Sequence, residues 1–398
     1  MSTSILDIGE KVTFDDSIES IEYHSYNPYN DSYKNNDVIN ICINRQDLMV
    51  LPSQSQLLVE GTVNKECTFI NNAIAYLFQD IRYELNGVEI DRSKNCGVTS
   101  TMKGLVSYSK GCDNAMENAG WNVGTIKEIT DGDFSFTIPL NHLLGFAEDY
   151  KKIIMNAKHE LILNRANTNI NCATITATLP AKKIDVKITR IVWRMPVIKV
   201  SDKEKLRLMT HIESGIPIPI AFRTWDLYEY PMLPTAQKHV WTIKTATQLE
   251  KPRFVIIGFQ TLRKNVETEN MSEFDHCNLA DCRVYLNSQY YPYTSFAADF
   301  KKSSFPLLYD AYASFQQAYY GSANNPQLNP AHYKTKAPLV VINTSRQCDS
   351  YGTGPIDIKV EMEFKENVSG NTAAYCLIIN DSLFEYSALN GTVRKVIQ

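Results

Sequence analysis

The chain has 398 residues, of which 44% are hydrophobic, 21% charged and 11% aromatic, with a net charge of -4 and a pI near 6.0. This is a globular composition, which excludes a disordered, fibrous or membrane-embedded chain, and its slight acidity argues against a dedicated nucleic-acid binder. No apolar run reaches the roughly 20 residues that span a bilayer, and the length suits two domains of about 200 residues each.

Residues 1–37 read as an extended N-terminal arm. Met1 to Asp7 lacks the basic start and apolar stretch of a signal peptide, so manufacture and first use inside a cell are expected. Ser25 to Tyr33 mixes turn formers with tyrosines, which cannot form a core but can lie across one. Docking on a neighbour and folding back on the same subunit both fit this composition.

Residues 38–200 read as a first β-sandwich. Short β-branched runs, Val38 to Ile43, Leu57 to Val63, Phe134 to Leu140, Glu160 to Leu163 and Ala173 to Leu179, are separated by turn residues. Arg82 to Ile90 is a hairpin hinged at Asn86-Gly87, with a helical pattern following around Met102 to Tyr108. The run Ile184 to Val200 is long, and its alternation slips near Arg190, which predicts a bulge.

Residues 201–215 read as a linking helix. Ser201-Asp202-Lys203-Glu204 has capping-box spacing, Leu206, Met209 and Ile212 share a face, and Gly215, Pro217 and Pro219 stop the helix. Strands resume over 216–398, from Ile220 to Tyr228 through Ala374 to Tyr386, giving a second sandwich. Its one strong helix, Pro306 to Tyr320, carries Leu308, Tyr312, Phe315 and Tyr319 on one face and is expected to cover an open end of a sandwich.

The halves echo one another. Arg82-Tyr83-Glu84-Leu85-Asn86-Gly87 is answered by Arg283-Val284-Tyr285-Leu286-Asn287-Ser288, each followed by a helical pattern, and Ile184 to Ile188 is matched with Ile356 to Val360. The offsets differ, so one domain plan used twice fits better than a short tandem repeat.

Catalytic signatures are missing from the sequence: it has no phosphate loop, nucleophile elbow or His-Glu-x-x-His pair. Gly352-Thr353-Gly354 lacks the third glycine of a dinucleotide site. Asp275-His276-Cys277 through Cys282 is zinc-competent but has no second Cys/His pair at a standard spacing. His142, His159 and His239 sit beside apolar residues and are expected to be structural, and the nine scattered cysteines to be free thiols. No catalytic, cofactor-binding or metal-ligating residue is therefore assigned.

Five segments carry a family resemblance: Tyr83 to Asp91, Gly145 to Ile154, His159 to Leu163, Phe222 to Pro231 and Gln248 to Phe254. On these the chain resembles the double jelly-roll major capsid proteins, in particular those of Polinton/Maverick elements and adintovirus-like DNA viruses. The resemblance implies an all-β protein of two jelly-roll sandwiches side by side, with no enzymatic activity and no cofactor. It also implies homotrimers that form pseudo-hexameric capsomers of an icosahedral shell, located in the virion after assembly inside a host cell. Partners would be neighbouring capsomers and penton or minor capsid proteins, with at most weak inner-surface contact with packaged DNA. The chain is short for the family, which puts large outer loops in doubt. A host-retained sandwich binding carbohydrate or another partner is the alternative, with Tyr290-Tyr291-Pro292-Tyr293 as its candidate platform.

Overall fold

The computed structural model describes residues 17–45, 47–64, 67–123, 132–175, 184–244, 251–287, 289–346 and 356–396. Strands dominate, and they fall into two sets separated by the helix Asp202–Glu213. Alternation drives each strand to one face. In Val38–Ile43 the side chains of Ile39, Ile41 and Ile43 are buried, and in Lys238–Ile243 those of His239, Trp241 and Ile243. Burying each aliphatic side chain is worth about 1.5–3 kcal/mol, so register is strongly specified.

The eight principal strands of the first set are Ile18–Tyr26, Val38–Ile43, Gln56–Val63, Phe78–Leu85, Val88–Lys94, Asp133–Pro139, His159–Arg165 and Val186–Val200. One sheet takes them in the order first, eighth, third, sixth; the other in the order second, seventh, fourth, fifth. The second set comprises Ile218–Tyr230, Lys238–Ile243, Pro252–Thr261, Leu279–Leu286, Gln289–Tyr291, Val340–Asn343, Ile358–Phe364 and Thr372–Ser387. Its two sheets follow the same two orders. This is jelly-roll wiring, present twice.

The stretch read as an arm is corrected over Ile18–Tyr26. It is the first strand of the first sandwich, antiparallel to Val186–Val200 from Ile18 opposite Val200 to Tyr26 opposite Trp193. None of its nine residues is buried, so it lacks the alternation that reveals a strand. Residues 1–16 lie outside the described residues.

The hairpin echo is matched strand for strand. Leu85 pairs with Val88 and Leu286 with Gln289, each across the turn between fourth and fifth strands. Asn86 and Asn287 both adopt the left-handed backbone, with φ of 51° and 54°, a conformation asparagine tolerates. The Asn86 N–H donates to Lys158 O at 2.9 Å, and Asn86 Oδ1 accepts from Lys158 N at 2.7 Å. Asn287 makes the same two bonds with Asp357, at 3.0 and 2.8 Å. Each clasp ties a hairpin to the start of a seventh strand.

The other echo is corrected. Val186–Val200 is an eighth strand and Ile358–Phe364 a seventh, so their similarity comes from alternation alone. The slip near Arg190 is a register shift between Ile188 and Arg190 against Gln56–Val63. The stretch 306–320 is two helices, Pro306–Ala313 and Phe315–Tyr320, meeting at Ser314. They pack on the second sandwich, Phe254 lying 5.0 Å from Phe315 and 5.7 Å from Tyr319 between ring centres, and also reach the first half: Tyr312 donates to Leu105 O at 2.9 Å, and Gln316 to Tyr108 O at 3.0 Å.

The linking helix also departs from expectation. Ser201 stands at its N-cap, but its hydroxyl makes no capping bond, and Glu204 pairs instead with Arg207 at 2.8 Å. The helix buries no residue.

Candidate functional site: the seam between the sandwiches

The sandwiches contact each other at both ends, and the pattern of contacts fixes their relative direction. Beside the linking helix, where first strands begin and eighth strands end, Asn86 Nδ2 donates to Gly391 O at 2.8 Å, and Tyr386 donates to Met155 O and Asn156 O at 2.8 Å each. At the opposite end Tyr76 donates to Met271 O at 3.0 Å, and Ile175 N to Glu267 O at 2.9 Å. Like ends meet like ends. The two sandwiches therefore stand side by side, the same way up.

Midway along the seam lies a buried charged cluster. The helix Cys96–Ser107 brings in Lys103, the short helix Gly145–Asp149 brings Glu148 and Asp149, and the first strand of the second sandwich brings Arg223. The Lys103 side chain is 3% exposed. Its ammonium donates to Glu148 Oε1 at 2.9 Å, Ser107 Oγ at 2.8 Å and Tyr320 OH at 3.0 Å, and lies 4.4 Å from the centre of the Tyr319 ring. Glu148 also accepts from Tyr319 OH at 2.7 Å and from Tyr320 OH. Arg223 forks onto Asp149 at 2.7 and 2.6 Å and stacks 3.4 Å from the Tyr319 ring centre.

The electrostatics follow from this enclosure. Burial pulls Lys103 below the usual ammonium range, against the opposing pull of Glu148. Burial also pushes Glu148 upward, but the Lys103 charge and the hydrogen bonds from Tyr320, Lys103 and Tyr319 more than reverse it. The three ammonium protons and both carboxylate oxygens have partners, which offsets the cost of burying the pair. Gly145 makes the approach possible, since a Cβ there would lie 1.9 Å from Arg223 O. Phe146 packs edge-on against Phe222 with ring centres 5.4 Å apart. Nearby, burial lifts buried Asp91 to about 7, although Phe146 N donates to it at 2.8 Å.

His142 and His159 are buried, and burial lowers both to about 3. His142 Nδ1 accepts from Tyr108 OH at 2.6 Å while Nε2 donates to Asn72 Oδ1 at 3.0 Å; His159 Nδ1 accepts from Tyr83 OH at 2.6 Å. His239 is buried too and reaches Ala236 O at 3.0 Å. These are hydrogen-bonded core histidines.

The Asp275 to Cys282 cluster does not converge. Asp275 is taken by Arg263 at 2.8 Å and by Thr261 N at 2.8 Å, and the His276 ring stacks on Phe300 at 4.6 Å. Burial pushes the Cys277 thiol up to about 11, and Cys282 is buried in the core. The open cleft of about 480 Å³ beside them is lined by mixed polar groups, including Lys334, Glu366 and Asn367. Among the described residues no three His, Cys, Asp or Glu side chains gather as a metal site, and all eight described cysteines are free. Gly352 to Gly354 lie outside the described residues.

Chemical motifs in the sequence pointed away from the seam. The nearest signal was the resemblance itself: two of its segments, Gly145 to Ile154 and Phe222 to Pro231, face each other there.

Two eight-stranded jelly rolls on one chain, packed the same way up, define a double jelly-roll protein. The double jelly roll-like domain model matches residues 67–384, and the chain belongs to that family. Among curated proteins, none matches in sequence. Similar solved structures include PBCV-1 VP54, as fitted into a cryo-EM reconstruction of the virophage Sputnik. It has a TM-score of 0.63 and 13% identity, covering 98% of this chain and 99% of that one. The mavirus major capsid protein has a TM-score of 0.57 and 12% identity, covering 99% and 93%. The Faustovirus major capsid protein has a TM-score of 0.60 and 10% identity, covering 96% and 92%. At these identities the likeness is one of fold.

Proposed function

We propose that the chain is a viral major capsid protein, structural rather than catalytic, of the Polinton/Maverick and adintovirus-like group. It trimerises into pseudo-hexameric capsomers that tile an icosahedral shell, in the virion, after assembly inside a host cell. The observation that carries this reading is the parallel, side-by-side stance of two alike sandwiches, tied across the seam by the Arg223–Asp149 pair and by the bonds of Tyr319 and Tyr320 to Glu148. Three such chains present six similar pillars, a shape that packs on a hexagonal lattice. Neighbouring capsomers and penton or minor capsid proteins are its partners; packaged DNA touches the inner surface weakly, as the net charge of -4 suggests. The test is to purify the full chain and measure its mass by light scattering, then image it by electron microscopy. Trimers and shells are expected; a monomer at all concentrations would overturn the proposal.

A further inference from the structure

The linking helix Asp202–Glu213 turns apolar side chains to solvent. None of its residues is buried, and Leu206 and Met209, three apart and therefore on one face, are 69% and 45% exposed. Ile216, just beyond the helix, is 60% exposed. Two more exposed apolar side chains lie at the same end of the molecule: Ile18, which pairs with Val200 just before the helix, and Leu389, in the turn beyond Tyr386, which pairs with Ile218. Lys203 and Lys205 stand to either side of the helix face, which Asp202 and Glu213 complete.

The start of the chain lies next to this face. Ser17, the first described residue, accepts at its carbonyl from Ser201 N at 3.1 Å, and Ser201 is the helix N-cap. Residues 1–16 therefore depart from the first turn of the helix. Fully extended they reach about 50 Å, whereas the helix is only about 18 Å long. The segment holds Ile5, Leu6, Ile8, Val12 and Phe14, apolar area to set against the exposed face, and it is acidic, with Asp7, Glu10, Asp15 and Asp16 against Lys11. Asp15 and Asp16 come last before Ser17, beside a helix N-terminus that favours negative charge and whose Ser201 hydroxyl makes no capping bond.

We infer that residues 1–16 dock on the chain's own linking helix, with apolar side chains between Ile5 and Phe14 covering Leu206, Met209 and Ile216. The point of departure decides for the same chain over a neighbour: a segment tethered at the helix N-cap meets that helix at an effective concentration of about millimolar. The contact gives the helix the burial that it otherwise lacks. Both surfaces belong to one chain, so the inference stands or falls independently of the capsomer reading.

The test is hydrogen exchange on the full chain, comparing the wild type with Leu206→Gln combined with Met209→Gln, two solvent-facing changes to a good helix former, with folding checked by circular dichroism. In the wild type, amides of residues 5–14 are expected to exchange about tenfold or more slower than in an unfolded chain, equally at every protein concentration. The double variant should lose that protection. The converse variant, Ile8→Ser combined with Phe14→Ser, should speed exchange over residues 202–213, and a helix indifferent to it would overturn the inference. Unprotected amides at 5–14 in the wild type would leave the face to a foreign partner and overturn it too. Protection that grows with concentration would give the face to the segment of a second copy, and protection unchanged in the Leu206 and Met209 variant would put the segment elsewhere; either result overturns docking on the chain's own helix.

Discussion

The two sandwiches share their wiring down to single hydrogen bonds, yet differ at the edge that opens each of them. Asn86 and Asn287 clasp Lys158 and Asp357 through the same pair of bonds, while the first strand buries no residue in one half and Ile220, Phe222 and Trp225 in the other. Backbone-directed contacts survive divergence because they depend on a turn conformation that few residues adopt. Side-chain burial does not, because it depends on what stands alongside. The comparison separates what folds a sandwich from what joins sandwiches.

The largest effect should come from breaking the buried ion pair of the first sandwich over which Tyr319 and Tyr320 of the second close. Lys103→Ala leaves Glu148 charged and buried without its cation, and such losses cost about 3–5 kcal/mol. Urea denaturation should show it, with much of the loss recovered when Lys103→Met is combined with Glu148→Met. A cost no greater than that of an exposed pair, under about 1 kcal/mol, would remove the Lys103–Glu148 pair from any role in stability. Arg190–Glu60, with both partners at least a third exposed, provides that reference.

The clasps allow a finer comparison. Asn86→Ala and Asn287→Ala should each cost about 1–2 kcal/mol, from lost hydrogen bonds and a strained left-handed residue. Asn86→Ala should cost more, because Asn86 Nδ2 also reaches Gly391 across the seam. Equal losses in thermal unfolding would mean that this cross-seam bond contributes nothing.

An effect of another kind is one of pH. Asp91 titrates near 7 in the folded chain because it is buried, against an ordinary value of 3.8. The folded state therefore holds a proton that the unfolded chain has released, so this group's contribution to stability is full below about pH 4 and falls as pH rises through about 7. His142 and His159, lowered to about 3 by burial, act the other way: their contribution is lost as pH falls below about 6.5. Subtracting the stability profile of Asp91→Asn from that of the wild type isolates the first slope. A flat difference between pH 4 and 7 would show that Asp91 is ionised in the fold.

What the sequence makes legible follows the same division. The Asn86-Gly87 turn, the bulge at Arg190 and the β-branched run Val38 to Ile43 are local patterns, and each appears where it was read. The strand Ile18–Tyr26 was read as an arm because exposure on both faces erases alternation. The seam was illegible as chemistry because its charges lie far apart in the chain: Lys103 is 45 residues from Glu148, and Arg223 is 74 from Asp149. Lys103 by itself resembles any lysine on the solvent side of a helix, and only the fold turns it inward. The capping box at Ser201 is the converse, a correct local pattern whose hydroxyl bond does not form.

The helix Asp202–Glu213 buries nothing while joining two halves that are tied elsewhere at both ends and in the middle. It sets stoichiometry rather than angle. A covalent leash guarantees one sandwich of each kind per pair, so neither half has to find the other in a mixture.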